Sequence, residues 1–457
     1  MPLAIIRHFA FVLPILAIFV SGYADVVREP IQTGVSFDVG QIPQSSFLSD
    51  DEQGTWLQRT GVSITQAVDV GERLRLIVGV GGLFFNSYPE KMSYERSLKF
   101  GPGVGQAQGI YKLGNMSDSW GALRFGLIPY KYNPDAKNLG EYLLRSTAYP
   151  NVLVTGGFSI INSASYMMQG IDFELHTGPV KHNVFIHSER GYEPTGDISP
   201  GYLISYSPHP SVELGAGAEY AHLIPARPSV TTPKASISTA TDATGRYQGD
   251  TVVTDINDKG GSYYTFKAVK IVARASVNFQ TLLKSDLFGP EDLKLYSEAA
   301  VLGVKNYPFY YSDVWHRIPV MVGLNLPTFK FLDVLAVEGE YRKADFPNSV
   351  YQSYVYRTLP IPTLNKGDNG VPLPDQSPDG YDKNSLSKGP WYRNYGIKWS
   401  VYAKREIVQG LAAFVQVASD HNRPVSFTSD GALIPSYEPL TRKPSDWYYM
   451  VRLQLGI

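Results

Sequence analysis

The sequence predicts an all-β fold, a closed antiparallel transmembrane β-barrel of about 16 strands, with 14 to 18 as the range. Three observations predict it. The chain begins with an export signal and contains no later apolar run long enough for a transmembrane helix. Apolar and polar residues alternate over long segments, and the connections between these segments alternate between short and long.

The N-terminus has the pattern of a secretory signal peptide. Arg7 and His8 precede an apolar run at 9–20, and small residues follow up to Ala24. A run of this length is too short to cross a bilayer, because a helix needs about 20 residues to do so. We expect residues 1–24 to be cleaved and residues 25–457 to form a single barrel domain.

Strict two-residue alternation is clearest at the C-terminus. Trp447, Tyr449, Val451 and Leu453 lie on one face of the predicted last strand, and Arg452 lies on the other. The same period recurs at 72–84, 318–326 and 395–403. Strands of this length favour a membrane barrel over a soluble sandwich, whose strands usually have about 5 to 6 residues.

The predicted strands follow one another along nearly the whole chain. They are 33–42, 56–69, 72–86, 105–114, 118–130, 166–176, 180–190, 200–207, 211–223, 262–281, 292–303, 315–325, 332–343, 392–404, 408–418 and 445–457. Short turns, one of them at 405–407, separate long connections that include 43–55, 87–104, 131–165, 224–261, 344–391 and 419–444. From a periplasmic N-terminus, every long connection falls on the external side, as bacterial barrels require.

Composition excludes several classes of protein. The chain has no cysteine, which excludes disulfides, zinc–thiolate sites and iron–sulfur clusters, and its formal net charge of -1 argues against a nucleic-acid partner. The nucleophile-elbow, zinc-protease and phosphate-loop motifs are absent from the sequence, so we expect no enzyme, cofactor or metal. The 31 tyrosines suit lipid–water interfaces.

The signal peptide, the alternation over 33–457 and the last strand together resemble the outer-membrane porins of Gram-negative bacteria. The strand that begins at Trp447 is similar to the terminal signal read by the barrel-insertion machinery, although the chain ends in Ile457 where that signal usually has Phe. The resemblance implies a location in the outer membrane, contact with its lipids, passive diffusion of small hydrophilic solutes, and a homo-oligomer.

The polar face of the predicted strands carries more basic than acidic residues. Charged rings set the selectivity of a pore, which suggests a mild anion preference. The alternative is a wall in which opposite charges pair across strands, except where like charges such as Arg73 and Arg75 need a carboxylate or an anion between them. The pore-lining candidates are Arg59, Arg73, Arg75, Arg124, Arg274, Arg317, Lys398, Arg452, Glu298 and Glu338.

The connection 131–165 is the third external loop. In sixteen-stranded porins this loop folds into the barrel, so the resemblance implies a constriction with candidate residues Lys131, Asp135, Lys137, Glu141 and Arg145. Leu139, Tyr142 and Leu143 are spaced as one face of a short helix. An external lid, or extra strands, is the alternative.

Two further functions compete with a pore. A structural or adhesive barrel could bind polysaccharide or another protein through its external loops, and a soluble secreted sandwich would need no membrane. The loops 224–261 and 344–391 are rich in small and polar residues and are predicted to lack regular structure and a second domain.

Overall fold

A computed structural model provides the structure of the chain. The ranges that it describes are 26–45, 54–88, 96–114, 119–145, 166–188, 196–228, 236–241, 247–253, 267–283, 285–305, 314–342, 365–366, 372–373, 396–420, 425–427, 433–435 and 444–456. The predicted signal peptide, residues 1–24, lies outside these ranges. None of the helices in the described residues is long and apolar enough to cross a membrane.

Sixteen strands form the closed barrel, and they are numbered here in chain order. They are β1 Gln32–Gln44, β2 Thr55–Val70, β3 Leu74–Tyr88, β4 Arg96–Gly114, β5 Ser119–Tyr130, β6 Tyr166–Thr177, β7 Val180–Ser188, β8 Ile198–His209, β9 Val212–Ala221, β10 Ala268–Asn278, β11 Lys294–Val301, β12 Val320–Asn325, β13 Val334–Tyr341, β14 Ile397–Val408, β15 Leu411–Ser419 and β16 Trp447–Gly456.

Each strand pairs antiparallel with its neighbours in sequence, and the sheet closes where β1 pairs with β16. Val35 lies opposite Leu455, and Asp38 lies opposite Arg452. A seventeenth strand, Val26–Arg28, pairs with the far end of β2. Closure gives every wall strand a hydrogen-bonded neighbour on both sides.

The two faces of the wall differ as the alternation predicts. Outward side chains are apolar and exposed, such as Phe37, Ile64, Ile171, Val322 and Leu453. Their inward neighbours are polar and buried, as the list Asp38, Asp172, Lys270, Glu298, Glu338 and Gln416 illustrates. The barrel therefore has an apolar outer surface and a charged interior.

In the ranges that the structure describes, the elements outside the barrel wall are short. They are the helices α1 Tyr142–Arg145 and α2 Phe279–Leu283, a 3-10 turn Val314–Arg317, and strand pairs formed by Ser236–Thr241 with Tyr247–Val253, Asn365–Lys366 with Pro372–Leu373, and Val425–Phe427 with Leu433–Pro435. The connection 224–261 therefore contains a hairpin, so the prediction that it lacks regular structure was wrong there.

The sixteen predicted strands correspond one to one with the barrel strands, which confirms the predicted fold class. Several boundaries were wrong, among them the start of β12, which lies at Val320 rather than at 315. β4 begins at Arg96 rather than at 105, and β14 runs to Val408, so the turn lies at 409–410 instead of 405–407. Gly410 marks that turn with a φ of 82°, a left-handed conformation that glycine adopts at no steric cost.

Candidate functional site in the barrel interior

The segment 131–145, which follows β5, lies inside the barrel. Leu139, Tyr142 and Leu143 are fully buried, although the segment belongs to a long connection. They pack with wall residues of distant strands, including Met168, Tyr296 and Met321, in one hydrophobic cluster. We call residues 131–145 the inward segment.

Glu338 of β13 binds the backbone of the inward segment. Its carboxylate accepts the N–H groups of Lys137 at 2.5 Å, Asn138 at 2.8 Å and Leu139 at 2.8 Å. The same carboxylate accepts a hydrogen bond from the Tyr296 hydroxyl at 2.7 Å. Four donors on one buried carboxylate offset the loss of its hydration.

Glu298 of β11 binds the next turn of the segment. It accepts the N–H groups of Glu141 at 2.8 Å and Tyr142 at 2.7 Å. Gly140 and Glu141 reach this position with φ values of 81° and 61°, in the left-handed region. A side chain at Gly140 would have its Cβ 2.6 Å from Met321 Cε, so the segment approaches the wall as closely as glycine permits.

Ion pairs attach the tip of the segment near the short-turn end of the wall. Lys294 Nζ lies 3.0 Å from Asp135 Oδ1, and Lys137 Nζ lies 3.1 Å from Glu291 Oε2. Burial raises the pKa of the Asp135 carboxyl, but the attraction and hydrogen bond of Lys294 outweigh it and hold the pKa below its ordinary value. The pKa of Glu291 is lowered in the same way, because Lys137 and Lys294 outweigh burial.

The C-terminal end of the segment is held by a buried basic side chain. Lys270 Nζ donates to the Leu143 carbonyl at 2.9 Å and to Glu219 Oε2 at 2.8 Å. The other oxygen of Glu219 lies 2.6 Å from His187 Nε2. This end is therefore fixed by a lysine whose charge is compensated by a wall carboxylate.

The inward segment also folds on itself. Lys131 Nζ donates to the Ala136 carbonyl at 2.5 Å, and the Glu141 carboxylate accepts the N–H groups of Tyr132 and Asn133 at 2.9 and 2.8 Å. Of the five constriction candidates, Lys131 and Glu141 thus shape the segment, and Asp135 and Lys137 bind the wall. Arg145 ends α1, and its side chain lies outside the described residues.

Most pore-lining candidates on the strands are paired with acids across neighbouring strands. Arg59 and Arg452 share the carboxylate of Asp38, and Arg452 Nε lies 2.6 Å from Asp38 Oδ1. Arg124 binds Asp172 at 2.7 Å and Glu174 at 3.0 Å. Further pairs join Arg274 to Glu213, and Arg75 to Glu29 at 2.5 Å and to Asp69 at 3.8 Å.

Two of the candidates do not lie on wall strands, contrary to the prediction. Arg73 is exposed in the turn that precedes β3. Arg317 belongs to the 3-10 turn, is fully buried, and donates through Nε to the Gly303 carbonyl at 2.9 Å. Lys398 lies on β14 as predicted and is 3% exposed.

Two further acids of the interior bind the inward segment. Glu340 accepts the Tyr142 hydroxyl at 3.0 Å, and Asp420 accepts the Asn138 side-chain amide at 2.8 Å. The alternation places Glu340 on the polar face, two residues after Glu338, whereas Asp420 was missed. Asp420 follows the end of β15, where alternation gives no signal. No group of three or more His, Asp or Glu side chains in the described ranges is arranged to hold a metal ion.

Comparison with known proteins gives structural neighbours only. No protein-family model and no curated protein matches the chain. Among solved structures, a triple mutant of the Rhodopseudomonas blastica porin has a TM-score of 0.41 and 8% identity over 94% of this chain and 100% of that chain. Pseudomonas putida OprB at high pH has a TM-score of 0.48 and 10% identity over 94% of each chain. The Acinetobacter baumannii outer membrane channel DcaP has a TM-score of 0.41 and 10% identity over 95% of this chain and 98% of that chain.

The architecture of the barrel says more about the class of the fold than these identities and TM-scores do. Sixteen antiparallel strands close between β1 and β16, the outer face is apolar and the interior is polar. A closed wall with lipid-compatible side chains outside and charged side chains inside is the design of membrane-spanning bacterial barrels. The chain therefore folds as a closed sixteen-stranded antiparallel barrel with the apolar exterior and polar interior of a membrane-spanning barrel.

Proposed function

We propose that the protein is an outer-membrane channel through which small hydrophilic solutes diffuse passively. The observation that carries the proposal is a closed barrel with a polar interior into which the buried segment 131–145 is folded. A segment inside the barrel reduces the open cross-section of the barrel. A narrowed cross-section suits selection of solutes by size rather than catalysis.

The inward segment is proposed to be the constriction of this channel. Its supports are the backbone bonds to Glu338 and Glu298 and the ion pairs of Asp135 and Lys137. Contacts at both ends and in the middle suit a constriction of fixed width. The remaining solute path then lies between the segment and the wall formed by β1–β4, because Asn138 also binds Asp420 beyond β15.

A mild preference for anions is proposed from the same contacts. Glu298, Glu338 and Glu340 are at most 3% exposed, because they face the inward segment. The side chains of Arg75, Arg124 and Arg452 keep 29, 27 and 16% of their surface exposed. Docking of the segment thus covers these three wall acids. The arginines that stay exposed lie beside acids such as Glu29, which is 32% exposed, so the proposed preference for anions is slight.

Planar lipid bilayers test the proposed channel. The purified chain is expected to give stepwise increases of current, and the reversal potential in a potassium chloride gradient should indicate a modest preference for chloride. Arg452→Gln should move the reversal potential toward cation selectivity, while Arg405→Gln, which changes an exposed side chain at the end of β14, should leave it unchanged. A well-folded barrel that gives no current would overturn the proposal.

A further inference from the structure

Three neighbouring strands of the barrel wall are its shortest, and we call them the low sector. β11, β12 and β13 have 8, 6 and 8 residues, whereas β2, β3 and β4 have 16, 15 and 19. At a rise of about 3.3 Å per residue and a tilt of about 45°, the short strands reach only about 14 to 19 Å along the membrane normal. The apolar band of a membrane barrel is about 25 Å tall, so these strands alone do not cover it.

The two connections below this sector carry exposed apolar side chains. Phe331 is 79% exposed, Leu287 69% and Phe329 64%, and the helix α2 has no buried residue. The rings of Phe288 and Phe329 lie 5.6 Å apart, which joins the connections 279–293 and 326–333 into one surface. We call this surface the turn patch; it consists of Phe279, Leu282, Leu283, Leu287, Phe288, Phe329 and Phe331.

The backbone of the second connection is held in an unfavourable conformation. Phe329 and Lys330 have φ values of 53° and 66°, although neither is the glycine or asparagine that this region favours. Thr328 closes the turn, since its Oγ1 donates to the Leu332 carbonyl at 2.7 Å and its carbonyl accepts the Phe331 N–H at 3.0 Å. Strain of this kind persists where the position of the side chains matters.

The turn patch continues the apolar outer face of the wall. Val320, Val322 and Leu324 of β12 are 40 to 49% exposed and lead directly to Phe329. Lys330 lies between the two exposed phenylalanines, and Arg405 donates to its carbonyl at 2.7 Å. Cations at the edge of an apolar surface match the phosphates above the acyl chains of a phospholipid leaflet.

We propose that the turn patch is inserted in the phospholipid leaflet on the short-turn side of the membrane. It completes the lipid-facing surface of the low sector, and Lys330 and Arg405 lie at the level of the phosphates. The proposal rests on the membrane location in the proposed function but not on the channel activity. A phospholipid leaflet is favoured over a protein partner because the patch is continuous with the lipid-facing wall and Lys330 lies between its two exposed phenylalanines.

Single-cysteine spin labelling tests this insertion, and the chain has no cysteine of its own to interfere. Phe331→Cys is labelled in vesicles of phosphatidylethanolamine and phosphatidylglycerol, and its collisions with oxygen and with a water-soluble nickel chelate are compared. Val322→Cys provides the lipid-facing reference, and Glu72→Cys, exposed on a turn at the same end of the barrel, provides the aqueous reference.

The label at 331 is expected to meet oxygen several-fold more often than the nickel chelate, as at 322 and opposite to 72. The proposed insertion would be overturned if the label at 331 collided with the nickel chelate as often as the label at 72 does. Exclusion of both reagents with spin–spin broadening would also overturn it, because a second copy would then cover the patch. Nickel access at 322 would instead contradict the membrane location itself.

Discussion

The carboxylate of Glu298 accepts the backbone N–H of Tyr142 at 2.7 Å, although 156 residues separate the two in sequence. The bond joins a wall strand to a buried turn of a long connection. It explains why an acidic residue on the inner face of β11 is almost fully buried. The interior acids of this part of the wall carry charge and also accept hydrogen bonds from backbone N–H groups.

Replacing Glu338 is expected to loosen the inward segment. In the wild type, backbone N–H groups donate to the Glu338 carboxylate. In Glu338→Gln, the new side-chain NH2 group faces these donors and cannot accept from them. Each buried hydrogen bond to a charged group contributes about 1.5 to 3 kcal/mol. Single-channel recordings should show larger and noisier conductance than the wild type. Glu406→Gln, at the exposed end of β14, is the matched control and should behave as the wild type. Unchanged conductance in Glu338→Gln would contradict this role.

Gly140→Ala is expected to displace the segment through backbone strain and contact. The φ of 81° costs a non-glycine residue about 1 to 2 kcal/mol, and the added Cβ would lie 2.6 Å from Met321 Cε and 2.9 Å from Glu298 Oε2. Thermal unfolding followed by circular dichroism should show a lower midpoint and recordings should show added noise. Gly339→Ala, where nothing lies within 4 Å of the new Cβ, should change neither.

The attachment of the segment tip is expected to persist until strongly acidic pH. The pKa values of Asp135 and Glu291 lie below their ordinary values of 3.8 and 4.5, so both groups stabilise the docked segment fully above those values. Their contribution is lost as pH falls through the lowered pKa values. Conductance followed from pH 7 downward should stay constant to about pH 4.5 and rise below it. A rise that begins near pH 6 would point to a different group.

Asp38→Asn is expected to weaken closure of the barrel. Arg59 and Arg452 bind Asp38 from β2 and β16, on either side of β1. The substitution removes the negative charge that two partly buried guanidinium groups share. Loss of a charged partner of this kind typically lowers the free energy of unfolding by about 3 to 5 kcal/mol. The temperature at which the folded band converts to the unfolded band in a detergent gel should fall. Asp69→Asn, which loses only a 3.8 Å contact at a half-buried pair, should convert near the wild-type temperature.

Alternation was sufficient to predict the sixteen strands because each wall strand has one face in lipid and one in the polar interior. The spacing of Leu139, Tyr142 and Leu143 likewise predicted an apolar face on a short helix, and these three side chains are buried together. Alternation could not predict that Glu298 and Glu338 bind backbone N–H groups, since the same pattern fits an acid facing water. Arg317 was misplaced because the apolar period of β12 continues into a 3-10 turn that carries no strand pairing.

The most direct test of the proposed constriction is a comparison of single-channel conductance between the wild type and a linker variant. In that variant, a short glycine–serine linker replaces residues 131–145. The linker variant should insert into planar bilayers and conduct severalfold more current per channel, with weaker ion selectivity. Equal conductance in the two proteins would contradict the claim that the inward segment narrows the pore.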